Sequence, residues 1–147
     1  MADSHRLLIA NRGEIAVRIA RAAAAEGMTS VAVTAADEPD APHLAAADER
    51  HVLPGRGPAA YLDAAAIVQA AVATNCDLLH PGYGFLSENP GLPDACAQAG
   101  SPVTFVGPAP ATLVVFGDKV LARGLAEKVG IPVLPGLGVN VDVDVVR

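Results

Sequence analysis

Short apolar runs alternate along almost the whole chain with longer stretches of helical periodicity, and the loops between them span only a few residues. The strand candidates are Leu7–Ala10, Ser30–Val33, Arg50–Leu53, Asp77–His80 and Thr104–Val106. Helices are expected over Ile15–Glu26, Tyr61–Ala73 and Pro93–Ala99, with a short helical piece at His43–Ala47 and a last helical region from Pro108 through Val129. Strand and helix in strict alternation imply an α/β fold, because parallel strands must be joined by crossovers that cover the sheet. The chain is therefore expected to form a Rossmann-like parallel sheet of about five strands with helices on both faces.

The helical stretches carry their own inward faces. In the first, Ile15, Ile19 and Ala22 or Ala23 recur at helical spacing, Arg18 and Arg21 lie on a polar flank, and Gly27 closes the helix. In Tyr61–Ala73 the expected inward set is Leu62, Ala65 or Ala66, and Ile67 to Val68. Hydrophobic residues make up 52% of the 147 residues but aromatics only 3%, with no Trp. A core of Ala, Val, Leu and Ile suits helices packed closely on a sheet. Residues 1–136 read as one domain and residues 137–147 as a poorly ordered or truncated tail.

Composition excludes several function classes. A net charge of −6 argues against a nucleic-acid partner, which would call for a basic face. No apolar run approaches membrane-spanning length, and Met1–Arg6 shows no signal-peptide pattern. The two cysteines, Cys76 and Cys96, match no zinc or redox spacing and read as buried, inert thiols. The cytoplasm is the expected compartment. His5, His43, His51 and His80 show no metal-ligand spacing.

Three turns stand out. His80–Asn89 follows a strand, with Gly82 and Gly84 flanking Tyr83; it is either a tight strand-to-helix connection or a ligand turn at a strand's carboxyl end. His80 is placed to orient it through a ring hydrogen bond. Asn11-Arg12-Gly13-Glu14 lies where a dinucleotide fold would carry Gly-x-Gly-x-x-Gly, but it has one glycine, and Glu14 would repel phosphate. Asp37, at the end of the second strand, is therefore a weak ribose ligand. Gly117-Asp118-Lys119 lacks the rest of a phosphate loop, so Lys119 by itself reads as a surface charge and Asp118 as a helix cap.

Taken in order, Ile9–Ile19, His80–Asn89, and Phe105–Pro108 followed by Phe116–Lys119 resemble the amino-terminal domain of biotin carboxylases, as found in acyl-CoA and pyruvate carboxylases. Tyr61-Leu62 and Ile131–Gly136 fit the same pattern, so the likeness runs from about Leu7 to Gly136. The resemblance implies an enzyme that carboxylates biotin with ATP, bicarbonate and Mg2+. It also implies that Lys119 contacts the ATP phosphates, that Tyr83 and Gly84 border the biotin and bicarbonate pocket, and that Arg18 and Arg21 take part in a homodimer interface. Its implied partners are the ATP-grasp and carboxy-terminal parts of the enzyme and a biotin carboxyl carrier protein or domain. The family's ATP-grasp carboxylates do not appear after Gly136, so these 147 residues are expected to contain no catalytic residue and not to turn over alone. The alternative is a non-enzymatic dimerisation module, or a split subunit that docks onto an ATP-grasp partner.

Overall fold

β1 (Arg6–Ile9) pairs in parallel with β2 (Thr29–Ala35) on one side and β4 (Leu78–His80) on the other. β3 (Glu49–Leu53) extends the sheet beyond β2 and β5 (Thr104–Phe105) beyond β4, giving the order β3-β2-β1-β4-β5 with every pair parallel. This is a computed structural model that describes residues 4–100 and 103–134. The α/β sheet expected from the sequence is the observed architecture. The proposed tail, residues 137–147, lies outside the described residues.

The central strands are apolar on both faces because helices cover both. α1 (Gly13–Ala25) closes one face, where Leu7 and Ile9 meet Ala16, Ile19, Ala20 and Ala23. On the other face Leu8, Val31, Val33 and Leu79 lie beneath α3 (Ala64–Ala73) and α4 (Gly91–Ala97). The register sets Leu8 beside both Val31 and Leu79, so one row of large side chains crosses three strands. Burying each such side chain stabilises the fold by roughly 1.5–3 kcal/mol. The alanines on the helix faces let the helices sit close to that row.

Two expected helical stretches come out differently. The helix expected over Tyr61–Ala73 starts only at Ala64, as α3. A separate short helix, α2 (Gly57–Ala60), precedes it across a break at Tyr61–Asp63, and Asp63 caps α3 by accepting the Ala66 N–H at 3.0 Å. That break turns the side chains over: Tyr61 is fully buried, whereas Leu62, expected inward, is 53% exposed. The last helical region is α5 (Pro110–Gly117) and α6 (Lys119–Lys128), separated by Asp118. Asp118 accepts the N–H groups of Val120 and Leu121 at 2.8 and 3.1 Å, so the capping role read from the sequence is the observed one. α6 buries no residue, and Val114, Phe116, Val120, Leu121 and Leu125 on this helical pair are exposed.

The amino edge of the sheet is tied by charge. Asp77 accepts the Arg6 N–H at 2.7 Å and pairs with His5, while Arg6 forks onto Glu49 at 3.1 and 2.8 Å. Asp48 accepts both the N–H and the hydroxyl of Ser30 at 2.8 Å. Those Ser30 bonds hold the Asp48 carboxyl below its ordinary range, and the Arg6 guanidinium does the same for Glu49. Burial pushes Asp77 up, but the bonds from His5 and Arg6 outweigh it and leave Asp77 lowered. Cys76 and Cys96 are free and buried, and burial raises both thiols, Cys96 to about 11. Among the described residues, no helix is long and apolar enough to cross a membrane.

Candidate functional site at the carboxyl edge of the sheet

From β1 the chain winds outward to β2 and β3, then crosses back to β4 and β5. The loops leaving β1 and β4 therefore diverge, and open parallel sheets bind ligands in the crevice this reversal leaves. Here the two loops are Asn11–Gly13 and Pro81–Gly84, and they are stitched together. Asn11 is only 2% exposed. Its side-chain N–H groups donate to the carbonyls of Pro81 at 2.7 Å and Tyr83 at 2.8 Å, while its Oδ1 accepts the Arg12 N–H at 2.8 Å. Every polar atom of the amide thus has a partner, as burial requires.

The glycines of the turn do different work. Gly82 has φ +68°, and a Cβ there would lie 2.7 Å from Asn11 Nδ2, so both conformation and space demand glycine. Gly84 has φ +64°, with open space where a Cβ would point. The Gly82 N–H donates to His80 Nδ1 at 3.0 Å, which is the ring hydrogen bond expected of His80. Burial lowers the His80 pKa, favouring the neutral ring that this bond needs. Tyr83 is 58% exposed, and its hydroxyl donates to Glu14 in the first turn of α1. That bond raises the Tyr83 phenol above its ordinary value.

Beneath the turn lies a cluster that sequence reasoning missed. Phe85 adopts φ +43°, a strained conformation for a side chain of its size, and its ring stacks on Tyr61 at 5.1 Å. The Arg12 guanidinium sits 5.6 Å from the Tyr61 ring centre and 5.8 Å from that of Phe85, and pairs with Glu38. Glu38 also accepts the Tyr61 hydroxyl at 3.1 Å, and that oxygen in turn accepts the Ala35 N–H at 3.3 Å. Burial pushes the Tyr61 phenol up. Loops from β1, β2 and β4 are thereby locked to one another. No periodicity marks these residues, because each is a loop or break position whose partner lies far along the chain.

The remaining candidates are placed apart. Asp37 accepts the Gly57 N–H at 2.8 Å, a bond that lowers its pKa and ties the β2 and β3 loops. An open cleft of about 520 Å³ lies between Arg12–Gly13 and the Asp37–His43 loop. Lys119 opens α6, exposed and without an ion pair among the described residues. Arg18 and Arg21 are exposed on α1, likewise without ion pairs among the described residues. No group of three or more His, Cys, Asp or Glu among the described residues could hold a metal ion.

A parallel sheet in this order, with a tightly bonded turn at the switch point, defines a doubly wound α/β domain with a candidate site at its carboxyl edge. Comparison with known proteins gives the family. Residues 3–113 match the family described as "Biotin carboxylase, N-terminal domain", and the chain belongs to it. The alpha3 subunit of a biotin-dependent acyl-coenzyme A carboxylase from Mycobacterium leprae is 44% identical over 132 residues, covering 89% of this chain and 22% of the relative. Pyruvate carboxylases, such as that of Bacillus subtilis, are also relatives. Among solved structures, the biotin carboxylase domain of a single-chain bacterial carboxylase is 56% identical with a TM-score of 0.85, covering 91% of this chain and 31% of that one. The biotin carboxylase domain dimer of Hydrogenobacter thermophilus 2-oxoglutarate carboxylase, in complex with MgADP, ADP and bicarbonate, is 36% identical with a TM-score of 0.87, covering 95% of this chain and 30% of that one. The chain thus spans less than a third of the length of each of these four proteins.

Proposed function

We propose that these residues form one wall of a biotin carboxylase active site, whose other walls come from the ATP-grasp and carboxy-terminal parts of the enzyme. The observation that carries this reading is the Tyr83–Gly84 turn, pinned at the switch point with its ring exposed and with open space beside Gly84. An exposed ring beside bare backbone suits a flat heterocycle, and Tyr83 and Gly84 border the pocket for biotin and bicarbonate. Lys119, exposed and unpaired among the described residues, fits an ATP phosphate through its charge. ATP, when bound, supplies the phosphoryl group that activates bicarbonate; the part of these residues is to hold and orient. Mg2+ does not fit the described residues, which offer no cluster of ligands for it, and so belongs with the rest of the enzyme.

The exposed apolar side chains of α5 and α6 support the same division of labour. A helix that buries none of its own residues needs a cover, and the covering surface is the remainder of the carboxylase. Arg18 and Arg21, both exposed on α1, form a homodimer interface, and the biotin arrives on a carrier protein or domain. The buried free thiols suit a reducing compartment such as the cytoplasm.

The test is a chimera in which residues 4–134 replace the matching segment of the Mycobacterium leprae subunit. Its bicarbonate-dependent ATP cleavage is measured with free biotin as acceptor. Turnover, lost by at least tenfold on Lys119→Ala, is the expected result. A folded chimera without activity, or robust turnover by the 147 residues alone, would overturn the reading.

A further inference from the structure

The turn that presents Tyr83 is held from across the switch point. The carbonyls on either side of Gly82, those of Pro81 and Tyr83, both aim at Asn11 Nδ2, at 2.7 and 2.8 Å. At the far end of the same tyrosine, the hydroxyl donates to Glu14. Residue 83 is thus fastened at its main chain by the loop that follows β1 and at its tip by the first turn of α1. Only the ring between those points is left open to a ligand.

The geometry points to Asn11 and Glu14 as positioning residues that set the Tyr83 ring before biotin arrives. This rests on the reading of the turn as the pocket border. Neither residue needs to touch the ligand. An untethered tyrosine must be ordered when the ligand binds, and tethering removes that cost in advance. The loss of the Glu14 tether is therefore expected to weaken biotin binding by about two- to tenfold and to leave the chemical step alone.

Three variants separate the tether from its charge. In the active chimera, Glu14→Ala is expected to raise KM for biotin by about two- to tenfold with kcat unchanged. Glu14→Gln, which can still accept the hydroxyl, is expected to restore KM. In the 147-residue chain, carbon-13 labelling of the two tyrosines follows Tyr83 ionisation directly. Tyr83 should titrate above the ordinary phenol value of about 10 and return to it in Glu14→Ala. Asn11→Ala should speed amide exchange at Gly82 at least roughly tenfold without affecting Leu8 or Val31. An unchanged Tyr83 titration, or an unchanged KM in a chimera that turns over, overturns the inference while the proposed function stands. A chimera that never turns over overturns that function instead, and the titration alone then decides whether Glu14 holds Tyr83.

Discussion

The two ends of the sheet are built on opposite plans. At the amino edge, His5, Arg6, Asp48, Glu49 and Asp77 pair with one another or with Ser30, and the positive φ angles there, at Gly27 and Asn75, only close α1 and α3. At the carboxyl edge the chain takes positive φ at Gly82, Gly84 and Phe85, buries an asparagine, and leaves a tyrosine exposed. The amino edge consumes its polar groups internally, whereas the carboxyl edge spends conformational freedom to keep one side chain presented. The first arrangement holds the strands together, and the second leaves an exposed ring at the candidate site.

The contrast can be broken most sharply at Gly82. Gly82→Ala adds a left-handed conformation to a contact at 2.7 Å, and is expected to cost about 2–4 kcal/mol in chemical denaturation. A loss below about 1 kcal/mol would show that the turn is looser than described. Next comes Tyr61→Phe, which strands the Ala35 N–H and one oxygen of Glu38; about 1–3 kcal/mol should be lost, with the sheet's circular dichroism preserved.

Acid should separate the two ends. Burial lowers His80 below 6.5, so its contribution is whole above that pH and is lost as pH falls through the folded value. The lowered carboxyls of Asp48 and Asp77 contribute above 3.8 and lose that contribution only as pH falls through their lower folded values. Amide exchange, corrected for its intrinsic pH dependence, should therefore quicken at Gly82 as pH falls below 6.5, whereas Arg6 and Ser30 stay protected until it falls below 3.8. Equal loosening at both ends would erase the distinction. The smallest effect is expected from Glu49→Gln, an exposed pair at the amino edge, whose melting temperature should stay within a few degrees of the parent's.

What was legible in the sequence was whatever repeats locally. Leu7–Ala10 and Asp77–His80 announced strands by apolar runs, and Ile19 with Ala23 announced the buried face of α1. Gly27 did close that helix, with φ +70°. The start of α3 at Ala64 was not legible, because Tyr61 and Leu62 extend the apolar pattern of the Ala-rich helix and only the Asp63 cap marks its beginning. Leu62 followed that error outward. At the site, Tyr83 and Gly84 were visible as turn chemistry, but Asn11, Arg12, Glu38 and Phe85 were not. Their meaning lies in partners 23 to 73 residues away, where no sequence period reaches.

The stitch between Asn11 and Pro81 joins residues 70 apart in the chain. β1, α1, β2 and β3 can associate through much closer neighbours, and such contacts form early because short loops close at little entropic cost. The crossover from β3 to β4 must then bring the glycine turn back to the middle of the sheet before Asn11 has anything to hold. During synthesis the first three strands are complete before residue 83 exists. The turn is thus assembled after the first three strands, and a folding pause before β4 would leave a chain with three of its five strands and none of the candidate site.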